Sequence, residues 1–267
     1  MSSALTVGDQ LRDWRQRRRL SQLSLALDAE ISTRHLSFIE TGRAAPSREM
    51  LLRLAEQLDV PLRERNVLLV SAGYAPVFQE RSLDAPELGA VRKAVDLILA
   101  GHEPYPALAV DRHWTLVAAN GAVNRLLVGV APKLLAPPVN VLRVSLHPDG
   151  IAPRIVNFVE WRAHLLDRLR RQIEVSADPV LGALIEELRG YPAPATAGRK
   201  PAVVHDYAGV LVPLRLRAGD ATLSLFSTTT VFGTPIDVTL SELALESFFP
   251  ADAATAEFLR KVAELER

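Results

Sequence analysis

The residues best suited to acid–base or nucleophilic chemistry are scattered. Six histidines stand at His35, His102, His113, His147, His164 and His205. None is spaced as His-x₃-His or His-Glu-x-x-His, the arrangements that put two imidazoles on one helical face for a metal. His147-Pro148-Asp149-Gly150 sets an imidazole beside a carboxylate. Pro, Asp and Gly in succession make a turn on their own account, however, and that is the simpler reading. Ser224 and Ser227 have no matched His–Asp partner, and no glycine-rich phosphate loop occurs. The chain has no cysteine, which excludes disulfides, Cys-based zinc sites and cysteine nucleophiles. No catalytic, cofactor or metal constellation is left, so the chain does not read as an enzyme.

What does cluster is positive charge. Arg12, Arg15, Arg17, Arg18 and Arg19 crowd one short segment of a chain whose 31 basic and 31 acidic side chains balance. Residues 1–82 carry 12 basic and 10 acidic groups, a surplus of two. A charge run can be a merely solvated helix face, and Arg18 and Arg19 fit that role here. Its meaning depends on the elements around it.

Leu11 and Trp14 sit at helical spacing in Gly8–Arg19. Ser21 is a good N-cap for a helix holding Leu23, Leu25, Ala26 and Leu27. After Ala29-Glu30-Ile31, Ser32 caps a helix from Thr33 to about Thr41, with Leu36 and Ile39 on one face and Gly42 as its C′ residue. Pro46-Ser47 opens a fourth helix, and Pro61 stands in the first turn of a fifth. Five short helices in such a span make a compact all-α domain. Two short capped helices joined by a three- or four-residue turn are the helix-turn-helix pattern, whose second helix enters the major groove of DNA. Leu36 and Ile39 supply the inner stripe, and Thr33, Arg34, Ser37 and Phe38 the outer face.

This segment resembles the XRE (Cro/repressor-like) DNA-binding family. The matching residues are Leu11-Arg12, Arg15, Leu20-Ser21-Gln22, Leu25-Ala26, Ser32, Leu36, Ile39 to Arg43, Pro46-Ser47, Leu51 and Leu54-Ala55. The family usually has Gly where Glu30 stands, because that position often needs positive φ. The resemblance implies that Thr33, Arg34 and Phe38 face base edges, with Arg34 forking to guanine and Phe38 touching a thymine methyl. It implies that Gln22 holds a phosphate and that Thr41 and Arg43 meet the backbone. Ser32 and Ser37 complete the DNA-binding set. Arg15 and Glu40 match a family ion pair tying the first helix to the end of the recognition helix. Phe38 can alternatively pack partly on its own domain.

Beyond Gly73, residues 74–86 read as a linker and Glu87–Ala100 as a helix. Ala107–Val110 and Thr115–Ala119 are short β runs separated by Asp111-Arg112-His113-Trp114, and Asn120 then caps a helix to about Leu127. Two strands, a turn and an Asn-opened helix are how a PAS-type sensor domain begins. Helices follow at about 139–146, 153–175 and 179–188. Strands follow at Gly209–Leu216, Ala221–Thr230 and Ile236–Phe248, with a last helix behind them. The expected fold is α+β, a five-stranded antiparallel sheet covered by helices on one face. The longest helix carries Ile155, Phe158, Leu165, Leu166, Leu169 and Ile173 near one face, widened by Val156 and Trp161. Its other face holds Arg162, Asp167, Arg168, Arg170 and Arg171.

This second region resembles the MmyB-like ligand-binding domain, through Tyr105–Asn124, Leu146 to Asn157, Trp161-Arg162, Thr228–Pro235 and Leu243–Pro250. The junction Pro61 to Asn66 and Ala72 to Pro76 looks like the same family. The resemblance implies a bacterial transcription regulator whose PAS-like domain binds an apolar small molecule such as a fatty acid, with no other cofactor. An apolar cavity is expected between the sheet and the helices of residues 139–188. Val210, Val212, Leu214 and Leu216 would line its sheet side, since one face of a strand points inward. Phe158, Trp161 and Leu165 would line its helix side. His147, Arg154 and Arg162 are candidate partners for a carboxylate.

The expected organisation is thus a helix-turn-helix domain over residues 1–73, a linker over 74–86, and a ligand-binding and dimerisation domain over 87–267. At 267 residues the length suits two domains. No run of 18 apolar residues marks a membrane helix and no signal peptide is evident, so a cytoplasmic protein is expected. The excess of Arg over Lys, 27 to 4, fits GC-rich bacterial coding. The expected partners are double-stranded DNA, a small apolar ligand and a second copy of the chain. A DNA-binding protein whose second domain only dimerises or binds a protein partner is an equally open reading of the residues. A peptide-responsive regulator would need helical repeats of about 34 residues, where residues 205–248 read as strands. An enzyme with a DNA-binding appendage would need the missing constellation.

Overall fold

The computed structural model describes residues 5–195 and 211–265. They divide into two compact units. The first holds the residues up to Arg81 together with Glu174–Ala177 and Pro235–Ser241, and the second holds the rest.

The first unit is built on five helices: α1 (Val7–Arg17), α2 (Gln22–Asp28), α3 (Thr33–Glu40), α4 (Arg48–Gln57) and α5 (Leu62–Ser71). Thr6, Ser21, Ser32 and Ser47 each accept a backbone N–H at the start of a helix, and Thr6 forms a full capping box with Asp9. All five helices stop in the same way. The C′ residue is left-handed, at Arg19, Glu30, Gly42, Asp59 and Gly73. The residue after it donates to the carbonyl five positions back, as in Leu20 N to Arg15 O (3.1 Å) and Ile31 N to Ala26 O (2.9 Å). This is the Schellman ending, which satisfies otherwise orphaned carbonyls. Three of the five positions are not glycine, at roughly 1–2 kcal/mol each for the left-handed conformation. Glu30 therefore adopts the positive φ, +56°, that its family position requires without the usual glycine. Leu11, Leu25, Leu36, Ile39, Leu51 and Leu54 fill the core. Gly8 lets α1 lie directly on the end of α3: a Cβ there would meet the Ile39 carbonyl oxygen at 2.4 Å.

Residues 74–80 are anchored within this unit rather than free. The Asn66 side chain accepts from Val77 N and Phe78 N and donates to Phe78 O, at 3.0, 3.1 and 2.7 Å. The Tyr74 hydroxyl donates to Pro46 O.

In chain order there follow α6 (Gly89–Gly101), β1 (Ala107–Val110), β2 (Leu116–Ala119), α7 (Gly121–Leu126), α8 (Pro132–Leu135), α9 (Val141–Leu146), α10 (Phe158–Ser176) and α11 (Pro179–Gly190). After these come β3 (Leu214–Ala218), β4 (Ala221–Val231), α12 (Val238–Ser241), β5 (Ala244–Pro250) and α13 (Ala253–Leu265). The five strands form one antiparallel sheet in the order β2-β1-β5-β4-β3, the α+β arrangement expected. The β1–β2 turn is held by Asp111, whose Oδ1 accepts from His113 N and Thr115 N at 2.8 Å each.

Several expectations are corrected. The sheet is not covered on one face alone. Leu108 and Val110 pack toward α9–α11, while Ala107 and Ala109 meet Val95 and Leu99 of α6. The alternation Ala-Leu-Ala-Val offers small residues where α6 comes close, so all four are buried. The strand expected over 236–248 begins only at Ala244, because Asp237 caps the short α12, its Oδ1 accepting from Thr239 N. Among the described residues the strand expected from Gly209 begins at Leu214; His205, Gly209 and Val210 lie outside the described residues. The long helix starts at Phe158, not Pro153: Ala152–Arg154 is a 3₁₀ turn and Ile155 bridges to Leu216. Asn120 stands at the N-cap of α7 but makes no capping bond with its side chain.

Candidate DNA-binding face and ligand cavity

Helix α3 is locked by the side chain at its end. Glu40 is fully buried as a side chain, yet it receives two bonds from Arg15, Nε to Oε1 at 2.6 Å and Nη2 to Oε2 at 2.9 Å. Gln22 Nε2 donates to the same carboxylate at 2.8 Å, and Arg12 Nη2 donates to the Glu40 carbonyl at 2.7 Å. One carboxylate thus ties α1, α2 and α3 together. Burial opposes its ionisation, but the bonds from Arg15 and Gln22 and the charges of Arg15 and Arg12 outweigh burial and hold its pKa below the ordinary value.

The expected pair of Arg15 and Glu40 is therefore present, and the Gln22 carboxamide, expected at a phosphate, donates to the same carboxylate. The arginine run is largely structural as well. Arg18 donates to Leu58 O and Asp59 O, each at 2.8 Å, capping the end of α4, and lies over the Trp14 ring. It is not simply solvated. Arg17 and Arg19 are exposed.

On α3 the outer face carries Thr33, Arg34, Ser37 and Phe38. Arg34 is exposed, and its guanidinium lies 5.3 Å from the centre of the Phe38 ring; that of Arg43 lies 5.9 Å from it. Phe38 is half-buried between two cations, which orders both guanidiniums beside the outer face. The Ser32 hydroxyl accepts from His35 N as the N-cap, and the Thr41 hydroxyl donates to Ser37 O at 2.7 Å. Both are occupied in holding the helix ends.

In the second unit a cavity of about 100 Å³ lies between the sheet and α7, α9 and α10. Its walls are chiefly apolar and include Leu108, Trp114, Val144, Trp161, Leu165 and Leu214. Trp161 and Leu165 were expected on the helix side and Leu214 on the sheet side. Phe158 is buried in the surrounding core and does not reach the cavity, and Val212 packs partly buried against that core. Leu216 faces a separate groove of about 600 Å³ shared with Phe258 and Leu223.

None of the three expected carboxylate partners lines the central cavity. The His147 Nδ1 accepts from Asp149 N at 3.0 Å and its ring packs on Tyr191, so His147-Pro148-Asp149-Gly150 is a turn. Arg162 donates to the carbonyls of Leu188 and Arg189 at the end of α11. Arg154 donates to Leu126 O and borders the separate groove, where burial lowers its pKa.

The charged groups at the central cavity are Arg168, expected on the polar face of the long helix, and Glu246, for which no role was expected. They form a bidentate pair, one bond of it Nη1 to Oε2 at 3.0 Å; Thr229 joins through its hydroxyl, and the guanidinium lies 4.6 Å from the centre of the Trp114 ring. A signal for this existed. Trp161, Leu165 and Arg168 follow helical spacing along one stripe, and Glu246 alternates with Ala244 and Phe248 on one strand face. Among the described residues no group of His, Cys, Asp and Glu is placed to hold a metal. No helix of the described residues is long and apolar enough to cross a membrane.

Residues 91–262, well over half of the chain, match the model of the MmyB-like transcription regulator ligand binding domain. The chain belongs to this family. Residues 11–65 match the helix-turn-helix model, the same segment that carries α2 and α3. This MmyB-like regulator accordingly combines a DNA-binding helix-turn-helix with a ligand-binding domain, and both are regulator domains rather than enzymes. No curated protein matches it. It is also similar to a solved structure, the PAS domain from Bordetella pertussis BvgS. That alignment has 16% identity, covers 67% of this chain and 98% of that one, and has a TM-score of 0.24.

Proposed function

We propose that this regulator binds a specific operator as a homodimer through residues 1–73 and senses an apolar, fatty-acid-like molecule through residues 87–267. The observation that carries the sensing half is the apolar cavity around Trp161, Leu165 and Leu214. An apolar chain gains about 0.8 kcal/mol for each CH₂ it buries there. Binding regulates only if it favours one dimer geometry over another. Saturable uptake of a medium-chain lipid by the full-length protein tests this half. No uptake would leave the second domain as a dimerisation or protein-binding module.

The DNA half rests on the outer face of α3. One small domain makes few phosphate contacts, so two recognition helices about 34 Å apart are required, one turn of DNA. Footprinting should give two half-sites; a single protected half-site bound by a monomer would contradict it. Thr33, Ser37 and Phe38 accompany Arg34 at the bases, Gln22, Ser32 and Thr41 stand near the backbone, and Arg43 contacts phosphate. Arg34→Ala should lose about 1–3 kcal/mol on the specific site and relax preference at one base pair. Arg43→Ala should weaken all sequences alike and lower the salt slope by about one. Binding titrations across operator variants and salt concentrations read both. Uniform losses from both substitutions would overturn the assignment of α3.

A further inference from the structure

We propose that the Arg168–Glu246 pair makes the central cavity select a ligand whose polar end is uncharged. This rests on the reading of that cavity as the ligand site. It narrows the fatty-acid-like class to neutral relatives of a fatty acid, such as an alcohol, ester or amide on an apolar chain.

The cavity's lining holds one cation and one anion, and each is already committed to the other. Glu246 is only 3% exposed and accepts from Arg168 and from the Thr229 hydroxyl. An entering carboxylate has two ways to reach Arg168. It can share the guanidinium, which sets it beside the Glu246 carboxylate, like charge against like. Or it can displace Glu246, which leaves a buried carboxylate without its partner. Both outcomes penalise the charged ligand, and neither touches a neutral one. Glu246 is in this sense the repulsive element of the site.

The same lining offers two hydroxyls suited to a neutral polar end. Ser145 Oγ accepts from Trp161 Nε1 at 3.0 Å. Its own proton has no acceptor among the described residues, and the Ser227 hydroxyl has no partner among them either. Each can donate to a hydroxyl, ester or amide oxygen without meeting a charge.

The test uses delipidated full-length protein and two probes of equal chain length, 1-decanol and sodium decanoate, titrated calorimetrically at mildly alkaline pH. The wild type should bind decanol saturably and decanoate at least about tenfold more weakly. Glu246→Gln keeps the shape and removes the negative charge, freeing Arg168 for an anion. Decanoate should then tighten by about tenfold or more, while decanol shifts by no more than about twofold. Glu246→Met is the second variant, in case Glu246→Gln does not fold. It also removes the buried anion and should tighten decanoate relative to decanol. Equal binding of both probes by the wild type overturns the inference while the cavity reading stands. So does an unchanged decanoate-to-decanol ratio in the folded Glu246→Gln or Glu246→Met variant. Saturable binding of neither probe overturns the cavity reading, and this inference with it.

Discussion

Arg15→Ala is expected to destabilise the helix-turn-helix unit by about 3–5 kcal/mol, because it strands a buried carboxylate. Glu40 has no exposed side-chain surface, and Arg15 supplies two of the three side-chain bonds it receives. Removing the cation leaves the desolvation of the anion without its main compensation. Hydrogen exchange of peptides from α1 to α4, in a urea series on the full chain, reads the loss locally. Operator affinity should fall with it, since Glu40 fixes the end of α3 against α1 and α2. Glu40→Gln should cost less than Arg15→Ala, because no buried anion is left behind.

The pH dependence follows from the sign of the shift. The folded pKa of Glu40 lies below its ordinary value, so the unfolded state binds the proton more readily. The pair's contribution is fully present above the ordinary carboxylate pKa and is lost as pH falls through the lowered folded value. Acid should therefore narrow the difference between wild type and Glu40→Gln. A difference that stays constant from neutral to acid pH would refute this.

Asn120→Ser is the second large effect, roughly 3 kcal/mol or more from the loss of buried hydrogen bonds. Serine is as good a helix N-cap as asparagine, so a capping role alone would predict almost no change. The side chain of Asn120 does something else. Its Oδ1 accepts from Ala107 N at 3.0 Å, and its Nδ2 donates to Leu99 O at 3.1 Å and Tyr105 O at 2.8 Å. It stitches the last turns of α6, the segment before β1 and β1 itself, where water does not reach. Serine is too short to span these groups, and each stranded group costs about 1–3 kcal/mol. Urea unfolding of the full chain by circular dichroism measures the loss. A midpoint unchanged from wild type would restore the capping role.

The helix-turn-helix unit was legible because its signals are local. Ser21, Ser32 and Ser47 cap the helices that follow them, and the stripe of Leu36 and Ile39 faces inward as its spacing requires. The hairpin of β1 and β2 was equally plain, since Asp111 closes a turn within four residues. The third strand of the later group was misjudged over 236–243. Its apolar residues suit a strand, but the Asp237 side chain draws the chain into α12. Arg18 was misjudged because the carbonyls it caps belong to α4, 40 residues on.

By itself the sequence determined the helix-turn-helix, the α+β class that follows it and three of the apolar residues that wall the cavity, Trp161, Leu165 and Leu214. These rest on periodicity, caps and turns, which act within a few residues and leave their mark in spacing. Only the tertiary structure decided where the charges went. Arg168 meets Glu246 across 78 residues, and Gln22 turns to Glu40 across 18. Local spacing is blind to such pairs, because a buried ion pair depends on which elements come to lie together. The cavity's charge balance is therefore a property of the packed domain: burial strengthens the pairing of two groups that lie far apart in the sequence.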